Sequence, residues 1–302
     1  MSSAQALRAF LHAHRRVVVI TGAGCSTASG IPDYRDAAGA WKRKPPVTYQ
    51  AFTGDDRVRR RYWARSLVGW PSFGSARPNA AHHALAALER GESPGDSVHD
   101  SLDGPPSGPL SGLITQNVDR LHQSAGSRRV IDLHGRLDQI VCLGCGHRLM
   151  RASFQQALAA ANADWAARWI TGAAAIAPDG DADLHDVVFD DFHVPACRRC
   201  GGVLKPDVVF FGENVPAARV ERCYAAVDAL PGMDGVLLVA GSSLTVMSGF
   251  RFVRRAAKAG TPVVIVNRGA TRGDELATSK LDVGCSELLT ELALARSGAT
   301  AS

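Results

Sequence analysis

The chain has 302 residues, a formal charge of +5, 46% apolar and 21% charged residues, enough to bury the core of one large domain or of a large and a small one. Its apolar runs are strand-sized, which argues against a membrane-spanning helix. The mild charge, densest at Arg59, Arg60 and Arg61, reads as a solvated helix face rather than a nucleic-acid surface. The first twenty residues lack the basic, apolar and small-residue order of a secretory leader, so a cytoplasmic protein with no membrane or nucleic-acid partner is expected.

Leu7, Phe10 and Leu11 share one face of a short helix, and residues 17–20 form the first strand-like run. That run empties into Thr21-Gly-Ala-Gly-Cys-Ser-Thr-Ala-Ser-Gly-Ile-Pro-Asp-Tyr-Arg35. Glycines after a strand let the backbone turn sharply and set N–H groups against a pyrophosphate at a helix N-terminus. Thr27 stands where the third glycine of a Gly-x-Gly-x-x-Gly fingerprint belongs, and the polar stretch Asp33-Tyr34-Arg35-Asp36 follows. Both features weaken an ordinary dehydrogenase reading. Residues 91–110, rich in Gly, Ser, Pro and Asp, predict a mobile surface loop. Apolar segments at 112–115, 130–133, 208–211, 236–240 and 263–266 alternate with helical stretches, including 216–230 and 245–259. Short, fully apolar strands suit a parallel sheet covered on both faces, so the fold expected is a doubly wound, Rossmann-like α/β sheet. In the helix over 216–230, Cys223 reads as a core residue.

Seven cysteines divide into two pairs, Cys142-x-x-Cys145 and Cys197-x-x-Cys200, and three single residues, Cys25, Cys223 and Cys285. Two such knuckles beside glycines complete a tetrahedral four-thiolate site for one structural zinc ion, with no position left for substrate. The alternative is two unrelated surface pairs or disulfides, the latter disfavoured in a cytoplasmic chain. The pairs are 51 residues apart; 151–176 reads as an Ala-rich helix and 179–193 as an acidic loop, together an insertion in the zinc module. The expected division is 1–138 and 204–302 as two parts of the Rossmann-like domain, with 139–203 as the smaller zinc-binding module.

Polar residues follow four strands, where such a sheet binds ligand. They are Thr115-Gln116-Asn117-Val118-Asp119, His134-Gly135, Gly241-Ser242-Ser243 and Asn267-Arg268-Gly269. Gln, Asn and Asp on a loop can hold a carboxamide or ribose hydroxyls, while Gly-Ser-Ser and Asn-Arg-Gly suit phosphate and ribose. Singly, each has a plainer reading: a structural histidine, or a cap for a helix beginning near Val118. Their joint placement favours a ligand site.

Gly22-Ala-Gly24 with Ser26, Gly30-Ile-Pro-Asp33 and Arg35, then 115–119, His134-Gly135, both Cys pairs, Phe211-Gly-Glu213 and Gly241-Ser-Ser243 occur in the order found in sirtuins, and the chain resembles that family over nearly its whole length. Arg61-Tyr-Trp-Ala-Arg65, Val68-Gly-Trp-Pro71 and residues 204–212 look like its class II branch in a bacterial version. The resemblance implies an NAD-dependent protein lysine deacylase, which transfers the acyl group to ADP-ribose and releases nicotinamide. It implies acyl-lysine proteins as partners and NAD as co-substrate. The alternatives are a mono-ADP-ribosyltransferase and a non-catalytic NAD or ADP-ribose reader. The resemblance makes His134 the general base, titrating near neutrality, with Asn117 beside it. It places Ala23, Ile31, Asp33, Asn117 and Asp119 around the nicotinamide, Gln116 at the ribose hydroxyls, Arg35 at the cofactor loop or a phosphate, and Gly22, Gly24, Ser26 and Tyr34 among the other cofactor contacts. Gly241, Ser242, Ser243, Asn267, Arg268, Gly269 and the backbone near Cys285 fall on the adenosine side. Val209, Phe210, Phe211, Gly212 and Glu213 would pair with substrate backbone. Tyr62 and Arg65 match the spacing by which another sirtuin branch recognises acidic acyl groups; the plainer reading is an amphipathic helix with Tyr62 packed and Arg65 solvated. Cys25 reads as a small buried hydrophobe, with a redox-sensitive thiol as the alternative.

Overall fold

The computed structural model describes residues 3–33, 42, 46–91, 108–170, 178–184 and 187–297. Helix α1 (Ser3–His12) leads into β1 (Arg16–Thr21). There follow α2 (Tyr49–Gly54), α3 (Asp56–Gly74), α4 (Ala80–Arg90), β2 (Leu110–Thr115), α5 (Leu121–Ser124) and β3 (Val130–Asp132). Next come β4 (Gly135–Cys142), β5 (Arg148–Met150), α6 (Arg151–Ala161), α7 (Ala163–Trp169), β6 (Leu204–Val208) and α8 (Ala217–Asp228). The chain closes with β7 (Gly235–Ala240), α9 (Met247–Lys258), β8 (Val263–Val266), β9 (Ser279–Leu281) and α10 (Cys285–Ser297).

Six strands form one parallel sheet in the order β3-β2-β1-β7-β8-β9. Alternate residues of β1 serve opposite faces, as strand geometry requires. Val17 and Val19 pack with Leu7, Leu85 and Leu288 of α1, α4 and α10. Val18 and Ile20 pack with Cys223, Val227, Phe252 and Val253 of α8 and α9. This is the expected doubly wound architecture, and Cys223 is a core residue. The strand order reverses between β1 and β7, so loops diverge there and leave a crevice at the carboxyl ends.

A second sheet, β5-β4-β6, is antiparallel. The expectation that 208–211 would join the parallel sheet is corrected here: the strand is Leu204–Val208, paired with β4. Gly135 has φ +86°, and a Cβ there would lie 2.0 Å from the Asp207 carbonyl oxygen, so β4 and β6 meet at a spacing only glycine permits. Of the helix expected over 151–176, the described part is two helices, α6 and α7, broken at Asn162, and 171–176 lie outside the described residues. Asn162 Nδ2 donates to the Leu158 and His193 carbonyls, both at 2.8 Å, and its Oδ1 accepts from the His193 N–H at 2.7 Å. Trp63 of α3 packs with Phe154, Trp165 and Phe192 in a third core; each such burial contributes about 2 kcal/mol or more. Helix α5 starts at Leu121 rather than near Val118, and α9 at Met247 rather than Thr245. Most of the loop expected over 91–110 lies outside the described residues. Among the described residues no helix is long and apolar enough to cross a membrane.

Candidate active site

A cavity of about 830 Å³ occupies the crevice at the carboxyl ends of β1, β2 and β7, a volume typical of small-molecule sites. Its wall unites residues from distant parts of the sequence: Ala23, Gly24, Ser26, Ile31, Asp33, Gln116, Asn117, Asp119, His134, Gly241, Ser242, Ser243, Asn267 and Arg268. Tyr62 and residues 209–213 line the same space. Tyr34 and Arg35 lie outside the described residues. Gly22, Gly269, Cys285 and Arg65 do not line the cavity. Gly269 is turned to β9 and the loop after it, where its N–H donates to Asp282 at 2.8 Å and its carbonyl accepts from Lys280 at 2.8 Å. Cys285 is buried, with its Sγ 2.7 Å from where a Gly241 Cβ would lie.

Loop packing explains the first glycines. The parallel register of Thr21 with Ala240 sets the two strand-end loops side by side. A Cβ on Gly22 would lie 2.7 Å from the Gly241 carbonyl oxygen, and one on Gly24 would lie 3.0 Å from it. The N–H of Gly24 donates to that oxygen at 3.0 Å. These glycines let one loop lie on the other, with Ala23, Gly24 and Ser26 left on the cavity wall.

The loop after β2 is held by its own side chains. Asn117 Nδ2 donates to the Gly22 carbonyl at 3.0 Å and to Ser26 Oγ at 2.9 Å, and Ser26 Oγ donates to Asp119 at 2.6 Å. Asp119 also accepts from the Leu121 N–H at 2.9 Å, so it starts α5 as well as facing the cavity. Burial pushes its carboxyl above the ordinary range, against the pull of these hydrogen bonds. Ser242 Oγ donates to Gln116 Oε1 at 2.7 Å, tying the loops after β2 and β7. Lys42 pairs with Asp33.

His134 follows β3, and its carbonyl accepts from the Val209 N–H at 2.7 Å, so it sits where the two sheets meet. Its Nδ1 lies 3.0 Å from the Gln116 carbonyl and its Nε2 lies 2.7 Å from Ser248 Oγ. A carbonyl only accepts, so Nδ1 carries the proton and Nε2 presents a lone pair. Burial lowers the imidazole to about 4, with the Gln116 carbonyl raising it and Arg219 adding to the fall. The expectation of titration near neutrality is corrected: at pH 7 the ring is neutral. No sequence signal singled out Ser248. It sits in the first turn of a helix read only as sheet cover.

The segment after β6 is held by neighbouring parts of the chain. Thr48 bridges to Phe211, the Tyr49 N–H donates to the Phe211 carbonyl at 2.9 Å, and Glu213 accepts from the Phe210 N–H at 2.8 Å and from Lys205 at 3.0 Å. Tyr62 is buried, 5.4 Å from the Phe52 ring and 5.3 Å from that of Phe210. Arg65 is turned away: its Nε donates to the Ala182 carbonyl at 2.7 Å, and its own carbonyl accepts from the Ala182 N–H at 3.0 Å. The insertion claims it, and also supplies Pro178 and Asp179 to the cavity wall.

Away from the cavity, the sulfurs of Cys142, Cys145, Cys197 and Cys200 all lie within 4.8 Å of one another. Cys142 and Cys200 are 3.5 Å apart, and Cys145 and Cys197 3.8 Å. A tetrahedral zinc ion bonded at about 2.3 Å needs sulfur separations of about 3.8 Å, so the set fits one ion and leaves no open position. N–H groups of Cys145 and Gly144 lower the Cys142 thiol to about 6, favouring the thiolate a metal takes. Cys25, His82 and His122 also cluster, all buried. There, however, His82 Nδ1 accepts from the Asn79 N–H at 3.2 Å in the capping box of α4, which puts the ring proton on the nitrogen a metal would need. Contact with Cys285 and burial raise the Cys25 thiol well above its ordinary range. It is a buried small residue.

A reversal crevice lined by strand-end polar groups, with a four-cysteine module beside it, defines a nucleotide-site enzyme fold. The Sir2 family profile matches residues 22–248, and this chain belongs to that family. It is 58% identical over 283 residues to a Xanthomonas axonopodis pv. citri protein named NAD-dependent protein deacetylase, covering 94% of this chain and 88% of that one. A Bordetella bronchiseptica protein of the same name is 54% identical over 293 residues, covering 97% and 98%. Among solved structures, one described as Sir2 with a p53 peptide and NAD+ superposes with a TM-score of 0.70 at 26% identity, covering 97% of each chain. Another, from work on the mechanism and regulation of Sir2 enzymes, gives 0.69 at 28% identity over the same coverage.

Proposed function

We propose that this chain is an NAD-dependent protein lysine deacylase that moves the acyl group to ADP-ribose and releases nicotinamide. The observation that carries the reading is the neutral His134, with Nδ1 satisfied by the Gln116 carbonyl and the Nε2 lone pair accepting from Ser248, in the same cavity as Asn117, Asp119 and Ser242. The donor set fits NAD: short polar side chains surround a space of nucleotide size. When bound, NAD supplies the sugar carbon that accepts the acyl oxygen as nicotinamide departs.

Asn117 and Asp119, fixed through Ser26, hold the carboxamide end with Ala23, Ile31 and Asp33. Gln116 and Ser242 act as one unit toward sugar hydroxyls. Ser243, Asn267 and Arg268 serve the adenosine side. Residues 209–213 take the substrate backbone, and His134 accepts the proton that makes a sugar hydroxyl nucleophilic. Ile31, Val47, Tyr62, Leu137, Val208 and Phe210 give the wall an apolar sector. With Arg65 committed to Ala182, that sector suits neutral acyl chains better than acidic ones. One zinc ion on the four cysteines holds β4 and β6 together.

The test is His134→Ala with NAD and an acetyl-lysine peptide. Loss of about 10²-fold or more in acyl transfer, with NAD binding retained, is expected for removal of a general base. Turnover at the parent rate would overturn the assignment.

A further inference from the structure

His134 has a partner that no motif announced. Ser248, the second residue of α9, is half-buried, lines the cavity, and brings its Oγ to 2.7 Å from His134 Nε2. Because Nε2 holds a lone pair, the serine hydroxyl is the donor. The contact is built into the packing. A Cβ on Gly249 would lie 1.8 Å from Gln116 Nε2, so the first turn of α9 rests directly on the Gln116 side chain. Gln116 in turn fixes the His134 tautomer through its carbonyl and accepts from Ser242. One residue therefore sets both the ring and the helix that carries the hydroxyl.

We propose that Ser248 is a catalytic proton carrier standing between the cavity and His134, an inference that rests on the deacylase reading. While its hydrogen is given to Nε2, Ser248 Oγ keeps acceptor capacity for a hydroxyl of the bound substrate. In the step, the substrate O–H bond breaks and its proton passes to Ser248 Oγ. The Ser248 O–H bond breaks as the Nε2–H bond forms, and the substrate oxygen keeps the electron pair. His134 becomes imidazolium and Ser248 is neutral again. The charges around the ring are few: Arg219 of α8, whose guanidinium reaches the Leu133 carbonyl at 3.4 Å, opposes the imidazolium, and Gln116 and Ser248 are uncharged.

The experiment has two arms on the zinc-loaded enzyme. In the first, without NAD, ¹⁵N NMR of the histidine rings compares the parent chain with Ser248→Ala. The His134 Nε2 resonance should move while the Nδ1–H form persists; an unchanged resonance means the hydroxyl does not donate to the ring in solution and overturns the proposal. In the second, the rate of acyl transfer is followed in mixtures of H₂O and D₂O. The parent and Ser248→Thr should show two protons in flight, and Ser248→Ala one proton with kcat lowered at least tenfold and the KM for NAD little changed. A single proton in the parent, or an alanine variant with parental kcat, overturns it. If no acyl-lysine peptide turns over at all, the deacylase reading fails, a result separable from the NMR arm.

Discussion

Burial decides what His134 can do at neutral pH. With its imidazole held at about 4, the free enzyme has its base in the accepting form throughout the physiological range. The pH profile of kcat/KM, which reports the free enzyme, should be flat from about pH 8 to pH 5.5 and fall only as pH approaches 4. A limb centred near 6.5, the value for an unburied histidine, would contradict this. The position of His134 after a strand was legible in the sequence, but its titration was not, because it depends on burial in the folded chain and on the charge of Arg219, far along the chain. Ser248 was invisible for the same reason. A serine in a helix turn has no signature until the helix is docked. Arg65 shows the opposite failure: its spacing from Tyr62 suggested a ligand, whereas its guanidinium is used by Ala182, 117 residues away.

Elements are joined here by close backbone contacts. A Cβ on Gly69 of α3 would lie 2.1 Å from the Gly180 carbonyl oxygen and 2.8 Å from the Ala182 N–H nitrogen. Neither backbone atom can move alone. Gly69→Ala should therefore lift 178–184 from α3, break the Arg65–Ala182 pair and lower stability by about 2 kcal/mol, read as a fall in thermal midpoint; an unchanged midpoint would show that the insertion is loosely held. The zinc module makes a second prediction. No cysteine of the module lines the cavity, yet β6 runs directly into residues 209–213. Cys142→Ser should reduce bound zinc from one ion per chain to none and abolish acyl transfer through loss of β4–β6 pairing. Full activity in zinc-free protein would contradict that linkage. The metal set itself was readable from spacing alone. The strand Leu204–Val208 was not: the apolar run that signalled a strand is 208–211, whereas the segment that pairs with β4 carries Lys205, Pro206 and Asp207 and has no such signal.

At the scale of the whole molecule, three histidines are folded as neutral groups. Burial lowers His82 and His134 to about 4 and His122 well below its ordinary value. Each binds its proton more readily in the unfolded chain, so stability is full above about pH 6.5 and is lost as pH falls toward 4. For the fully buried His82 the loss is on the order of 3 kcal/mol. The urea midpoint should drop steeply over that interval, and a midpoint constant from pH 7 to 4.5 would contradict the neutral burial. The doubly wound sheet was legible because its strands are short, apolar and each followed by a polar loop, so fold and site were written in the same segments. The central claim is that this site joins NAD to an acyl-lysine. Mass spectrometry of the protein with NAD and an acetyl-lysine peptide, following peptide and nucleotide together, tests it most directly. One nicotinamide and one O-acetyl-ADP-ribose per lysine freed is the predicted result; ADP-ribose left on protein, or NAD unconsumed, would contradict it.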